Sequence, residues 1–277
     1  MVGVICIVVS ALLILYFFLT AGSAPGGRGD WLREYRFAHR GLHNEEFPEN
    51  TLPAFLRAAE RGYAIELDVR LSKDGEVMVF HDDELKRVTG QEGRVADCTA
   101  EELARMGACG TRHTIPRFTD VLREVGGKTP ILIETKNEGG AGALEAALYE
   151  LLRGYGGRYA VQSFSPFSIG WFKKNAPEVL RGQLSAHFTE GAEHIAAYKR
   201  FIIKSLLSNV FCRPNFISYE RGGVADAEVR RLRKTGLPVL AWTVRNTRQE
   251  QQARQDADSV IFEQYLPGGE EETWQEK

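Results

Sequence analysis

The sequence predicts an α/β protein, a closed (β/α)8 barrel preceded by one transmembrane helix and carrying a small insertion after its second strand. Three observations support this: short apolar segments rich in β-prone residues, amphipathic helical stretches between them, and carboxylates and histidines at several of the segments' C-terminal ends. Barrels of this kind carry their reactive residues at that end. With 277 residues, 43% apolar and 26% charged, the chain can bury one large core. Its 35 Lys and Arg against 37 Asp and Glu argue against nucleic acid as a partner, because a broad basic footprint is missing.

Taken in order, residues 1–20 hold no charged side chain and are crowded with Val, Ile, Leu and Phe. At about 1.5 Å per residue such a helix crosses a hydrocarbon layer roughly 30 Å thick. Ala21-Gly22-Ser23-Ala24 is small enough to be cut, but a signal peptide also needs a charged N-terminal region. The expectation is a retained single-pass anchor in the cell membrane. Arg28, Arg33 and Arg36 follow it and no Lys or Arg precedes it, which places the folded domain on the cytoplasmic side. Residues 21–33, rich in Gly, read as a flexible tether, 34–267 as the barrel and 268–277 as an acidic tail. Cys6 falls in the helix, and Cys98, Cys109 and Cys212 show neither metal nor disulfide spacing, as in a reducing compartment.

The expected strands are 35–39, 64–69, 130–135, 159–163, 179–184, 215–219, 238–244 and 259–262. Helices are expected over 52–61, 118–125, 143–153, 167–175, 192–207, 226–234 and 248–255. In the first, Leu52, Phe55, Leu56 and Ala59 share one face, Asn50-Thr51 offers the N-cap and Pro53 suits the first turn. Lys73-Asp74-Gly75-Glu76 predicts a hairpin with a two-residue Asp-Gly loop. That register sets Asp68 opposite His81 and returns the histidine to the face of Glu66 and Asp68. Residues from about 84 to 116 suit no strand–helix unit and read as the insertion, placed over the barrel mouth.

The residue types at these strand ends point to phosphodiester chemistry at a divalent metal. A hard cation takes carboxylate oxygens, a phosphodiester needs cationic partners, and proton transfer near neutral pH favours His. Glu66 and Asp68 alternate with Ile65, Leu67 and Val69, and Glu134 ends the apolar run Ile131-Leu132-Ile133. Buried carboxylates are costly unless a cation meets them. Lys136 reads either as a phosphate ligand or as the ion-pair partner of Glu134. Asp82 reads as a backbone cap or as support for His81. His43, His113, His187 and His194 receive no role, and the basic run 230–234 reads as a solvated helix face, or as one touching anionic lipid.

Eight blocks together resemble the glycerophosphodiester phosphodiesterase family: His39-Arg40-Gly41, Pro48-Glu49-Asn50-Thr51, Glu66-Leu67-Asp68-Val69, Lys73-Asp74-Gly75, His81-Asp82, Glu134-Thr135-Lys136, Gln162-Ser163-Phe164 and Trp242-Thr243-Val244. Their order and spacing match over residues 38 to about 262, and the chain resembles a membrane-anchored bacterial-type member. The resemblance implies a barrel enzyme that hydrolyses glycerophosphodiesters to sn-glycerol 3-phosphate and an alcohol with one divalent cation, Ca2+ or Mg2+. It implies Glu66, Asp68 and Glu134 as metal ligands and His39 and His81 as general acid and base. Arg40 and Lys136 would hold the phosphate, and Trp242, Gln162 and Phe164 would line the substrate pocket. A lysolipid-directed phospholipase D activity and a non-catalytic glycerol-phosphate receptor are the alternatives. Two departures bear on substrate preference: Arg245 follows Trp-Thr-Val where Asn is common and is free to meet a second anionic group, and Glu263 ends the last strand where Thr-Asp is common.

Overall fold

The computed structural model describes residues 2–137, 140–187 and 196–268. A long helix, α1 (Val2–Thr20), leads through the short α2 (Trp31–Glu34) to β1 (Phe37–Ala38), α3 (Leu52–Glu60), β2 (Ala64–Leu71) and β3 (Val77–Val79). The insertion carries α4 (Lys86–Thr89) and α5 (Ala100–Ala104). The chain then alternates: α6 (Phe118–Val125), β4 (Ile131–Thr135), α7 (Ala143–Leu152), β5 (Tyr159–Ser163), α8 (Pro166–Asn175), β6 (Arg181–Ser185). After α9 (Ala197–Lys204) and α10 (Asn209–Cys212) come β7 (Phe216–Glu220), α11 (Ala227–Lys234), β8 (Val239–Val244), α12 (Thr247–Ala253) and β9 (Ser259–Phe262).

All strands but β3 run parallel and close on themselves, because β1 pairs with both β2 and β9. This is the barrel expected. Alternation along each strand sorts its side chains into two layers. Ile65, Leu67, Val69, Ile133, Val161 and Ile217 pack outward in one core with helix residues such as Phe55, Phe118 and Phe172. Inward, Phe37, Ala64, Leu132, Ala160, Phe216 and Leu240 fill the barrel floor, and Trp31 and Leu32 of α2 complete that cluster. Gly182 belongs to the same layer, and a Cβ there would lie 2.2 Å from the Phe216 ring. Above this layer the inward positions on β2 and β4 become carboxylates, so the apolar floor supports a polar mouth.

The insertion has its own small core, in which Leu85, Val88, Val95 and Leu103 pack on Met78 and Phe80 of the hairpin. Helix α5 opens with a capping box, Thr99 accepting from the Glu102 backbone while the Glu102 carboxylate accepts from that of Thr99.

Four local expectations are corrected. The β2–β3 register pairs Val69 with Val79 and Leu71 with Val77, one residue away from the Asp68–His81 pairing expected. Ser72 and Glu76 close a three-residue loop, with Gly75 at φ +83 in the left-handed position that such a loop requires. Thr51 takes the N-cap position of α3 as expected, but no side-chain bond caps the helix, because the Thr51 hydroxyl donates to the Pro48 carbonyl instead. The helix expected over 192–207 is α9 followed by a turn at Leu206, whose φ is +56, while residues 192–195 lie outside the described residues, as do His194 and positions 269–277 of the acidic tail. Residues 21–33 are laced to the barrel base rather than loose: Ser23 bonds Pro214 and Asn215, Arg28 bonds the Glu178 carbonyl, and Arg33 pairs with Asp258 at 2.7 Å.

Residues 2–15 of α1 are exposed, and among the described residues the helix meets the domain through residues 16–20. There Tyr16 donates to Glu228, and Asn209 donates to the Thr20 carbonyl. A helix this apolar and this exposed has the length and composition of a membrane span or a signal sequence.

Candidate functional site

The mouth of the barrel brings together residues from β1, β2, β4 and β9. His39 and Arg40 leave β1 in a tight turn in which Arg40 has φ +54 and Gly41 φ +83. That turn aims the Arg40 amide at Glu66 Oε2, 3.0 Å away, and the Gly41 amide at the Glu66 carbonyl. A Cβ on Gly41 would lie 2.9 Å from Ala54 and Phe55. Gly41→Ala is therefore expected to destabilise the fold by about 1–3 kcal/mol, read as a lower urea midpoint at unchanged slope. An unchanged midpoint would show that the turn tolerates a side chain.

Glu66, Asp68 and Glu134 are all buried, and each offers a carboxylate oxygen within 4.8 Å of the others. Burial and the neighbouring Asp68 charge raise the Glu66 carboxyl to about 7. Burial also raises Glu134, against the pull of Lys136. Asp68 goes the other way: burial opposes its charge, but Lys136, His81, Arg40 and a hydrogen bond from Asn50 hold it ionised. Three crowded oxygen donors, one of them forced toward its protonated form, fit a hard divalent cation.

Lys136 pairs with both Asp68, at 3.2 Å, and Glu134, so the ion-pair reading of this lysine is the arrangement present. Arg40 pairs with Glu49 at 2.8 Å and approaches Asp68 at 3.5 Å. From the insertion, Arg87 bonds Glu49 and Asp82 together, fastening the loop that carries Arg40 to the one that carries His81.

The two histidines differ in environment. Burial opposes protonation of His39, but its 2.6 Å hydrogen bond to Glu263 and the charge on Glu66 outweigh that and raise it. His81 is lowered to about 4, first by burial and then by Lys136 and Arg40, which overcome Asp68 and the 2.6 Å bond to Asp82. Strand β3 ends at Val79, so strand alternation does not govern where His81 points, and the histidine lies near enough to Asp68 to feel its charge.

The sequence missed the roles of two contributors, Glu263 and Asn50. Glu263 orients His39 and is itself gripped by Arg245, whose Nε donates to it at 2.7 Å. The signal was the two-residue step from Ile261, which puts Glu263 on the inward face. Asn50 brackets Asp68, donating to its carboxylate at 2.9 Å and accepting from its amide at 3.2 Å. Gln162, expected to line the substrate pocket, is buried beneath it, donating to Glu66 at 3.4 Å and accepting from Ser218. Phe164 and Trp242 meet edge to face at the mouth, 5.6 Å between centroids. Glu263→Gln, which keeps the shape but weakens the bond to His39, is expected to lower kcat about 10–100-fold with little change in KM. An unchanged kcat would remove Glu263 from the account.

Residues 39–265 match the model of the glycerophosphoryl diester phosphodiesterase family. A glycerophosphodiester phosphodiesterase from Caldanaerobacter subterraneus is 36% identical over 161 residues, 53% of this chain and 65% of its own. One from Bacillus subtilis is 26% identical over 275 residues, 88% of each. Among solved structures, an Oleispira antarctica phosphodiesterase in complex with the product sn-glycerol-3-phosphate superposes with a TM-score of 0.67 at 26% identity. The match covers 82% of this chain and 92% of that one. A matching region that starts at His39, closes at Tyr265 and contains the whole mouth leaves one assignment: the chain belongs to the glycerophosphoryl diester phosphodiesterase family.

Proposed function

We propose that this protein hydrolyses glycerophosphodiesters to sn-glycerol 3-phosphate and an alcohol, as the product-bound relative suggests. The observation that carries this reading is the buried trio of carboxylates flanked by two histidines of opposite protonation bias. Glu66, Asp68 and Glu134 would hold one divalent cation, Ca2+ or Mg2+, which would supply Lewis-acid polarisation of the phosphate and a lower pKa for an attacking hydroxyl.

The protein's own groups do the rest. His81, neutral above about pH 4, accepts the proton of the attacking water or glycerol hydroxyl. His39, held protonated by Glu263, delivers a proton to the departing alcohol oxygen. Lys136 and Arg40, both at the mouth, offer the phosphate oxygens two charged donors. Phe164 and Trp242 wall the mouth, and the buried Trp242 indole N–H has no hydrogen-bond partner among the described residues.

Residues 1–20 anchor this domain as a single-pass helix, with the barrel on the cytoplasmic side by the bias of Arg28, Arg33 and Arg36. The direct test is release of glycerol 3-phosphate from glycerophosphocholine by the full chain, with chelation and metal add-back. Turnover should fall below detection in chelator and return with Ca2+ or Mg2+. A rate indifferent to chelation overturns the metal-dependent mechanism.

A further inference from the structure

Outside α1, the large apolar side chains exposed among the described residues are Phe167, Tyr198, Phe201, Ile202 and Phe211. Single exposed apolar residues are ordinary, but these all lie on α8, α9 and α10, one flank of the barrel. The Phe167 and Phe211 rings pack 6.0 Å apart. The same flank receives the end of α1: Asn209 of α10 bonds the Thr20 carbonyl, and the Arg213 guanidinium lies 4.4 Å from the Phe18 ring.

Helix α9 buries none of its residues. Tyr198, Phe201 and Ile202 recur at i, i+3 and i+4, while Lys199, Arg200 and Lys204 supply positive charge. A helix this short has little stability in water without a surface to lie on. Its C-terminal end is fastened at the barrel mouth, where the Ser185 hydroxyl at the end of β6 donates to the Ile203 carbonyl and the Tyr219 hydroxyl of β7 to that of Lys204. Helix α1 climbs toward the same mouth. Thr20 accepts from Arg231 and Tyr16 donates to Glu228, one turn nearer the end of α11 that starts at the mouth.

We propose that α9, with Phe167 and Phe211, is an interfacial element that seats one edge of the barrel mouth on the anionic bilayer that α1 crosses. Aromatic rings favour the headgroup level, and the three basic residues complement anionic lipid. This rests on reading α1 as a membrane anchor. Its consequence is that a phosphodiester carrying an acyl chain reaches the mouth directly from the membrane.

The test uses the full chain in vesicles of phosphatidylcholine and phosphatidylglycerol, with and without brominated acyl chains. Emission of Phe201→Trp, above the wild-type background, should be blue-shifted and lost to bromine quenching, while Arg105→Trp, just past the end of α5, stays unquenched. Equal emission of the two variants in both vesicles overturns the proposal. So does shielding of the Phe201→Trp variant that appears in detergent only as protein concentration rises, the mark of a face between two copies of the chain. An alkaline wash separates the two levels. A chain washed off the vesicles overturns the anchor and the seating with it, whereas a retained chain with an unquenched Phe201→Trp variant overturns the seating alone.

Discussion

Replacing His39 or His81 with alanine is expected to lower kcat by about 10²–10⁴-fold each, with the fold and cation affinity retained. The two losses should not multiply, because a proton accepted at one side of the phosphorus is of little use unless one is delivered at the other. In the wild type, the kcat/KM profile should be bell-shaped. The acid limb lies below the ordinary histidine range, at about 4, where His81 becomes protonated and stops acting as base. The alkaline limb lies above 6.5, because burial of His39 is outweighed by the Glu263 hydrogen bond and the Glu66 charge, and activity is lost once it deprotonates. Steady-state kinetics on a water-soluble diester across pH 3 to 10 measures both. An activity that survives either alanine at near wild-type level would remove that histidine from proton transfer.

Glu66→Gln should separate stability from function. The folded chain holds Glu66 at about 7 against an ordinary value of 4.5, since burial and Asp68 disfavour its charge. Above pH 4.5 the unfolded chain releases that proton while the folded chain keeps it, so this group lowers stability progressively up to about pH 7. Without metal, Glu66→Gln is therefore expected to be more stable than the wild type at pH 8, with the gain vanishing below pH 4.5. With a saturating cation the order should invert, because the wild type binds ligand in the folded state and the variant binds it weakly. Urea unfolding in chelator and in excess Ca2+, at both pH values, reads all four cases. A variant less stable than the wild type in chelator at pH 8 would mean that Glu66 is not crowded by its neighbours.

Much of this site was legible in the sequence because it depends on local periodicity. The step of two along β2 puts Glu66 and Asp68 on one face, and the same step from Leu132 to Glu134 puts the third carboxylate level with them, Asp68 pairing directly with Glu134. What escaped depended on choices that several conformations of one sequence satisfy. Ser72-Lys73-Asp74-Gly75-Glu76 closes as a two- or a three-residue loop, and only packing of Val77 and Val79 in the main core, with Met78 and Phe80 in the insertion's, decides. Asn50 resembled an N-cap because its neighbours do, yet its amide satisfies Asp68 from both sides. Glu263 lies 224 residues from His39, a distance no periodicity spans, and only barrel closure between β9 and β1 brings them together. The glycines of residues 21–33 suggested freedom, but the barrel floor needs Trp31 and Leu32, and ordering them draws the segment onto the base.

Calorimetric titration of the chelated full chain with Ca2+ or Mg2+ most directly tests whether Glu66, Asp68 and Glu134 form one cation site beside the two histidines. The expected result is a single site per chain, weakened at least about 100-fold by Glu66→Gln, Asp68→Asn or Glu134→Gln alone and little changed by His81→Ala. Cation binding undiminished in all three carboxylate variants, or hydrolysis that persists in a chain showing no binding at all, would contradict it.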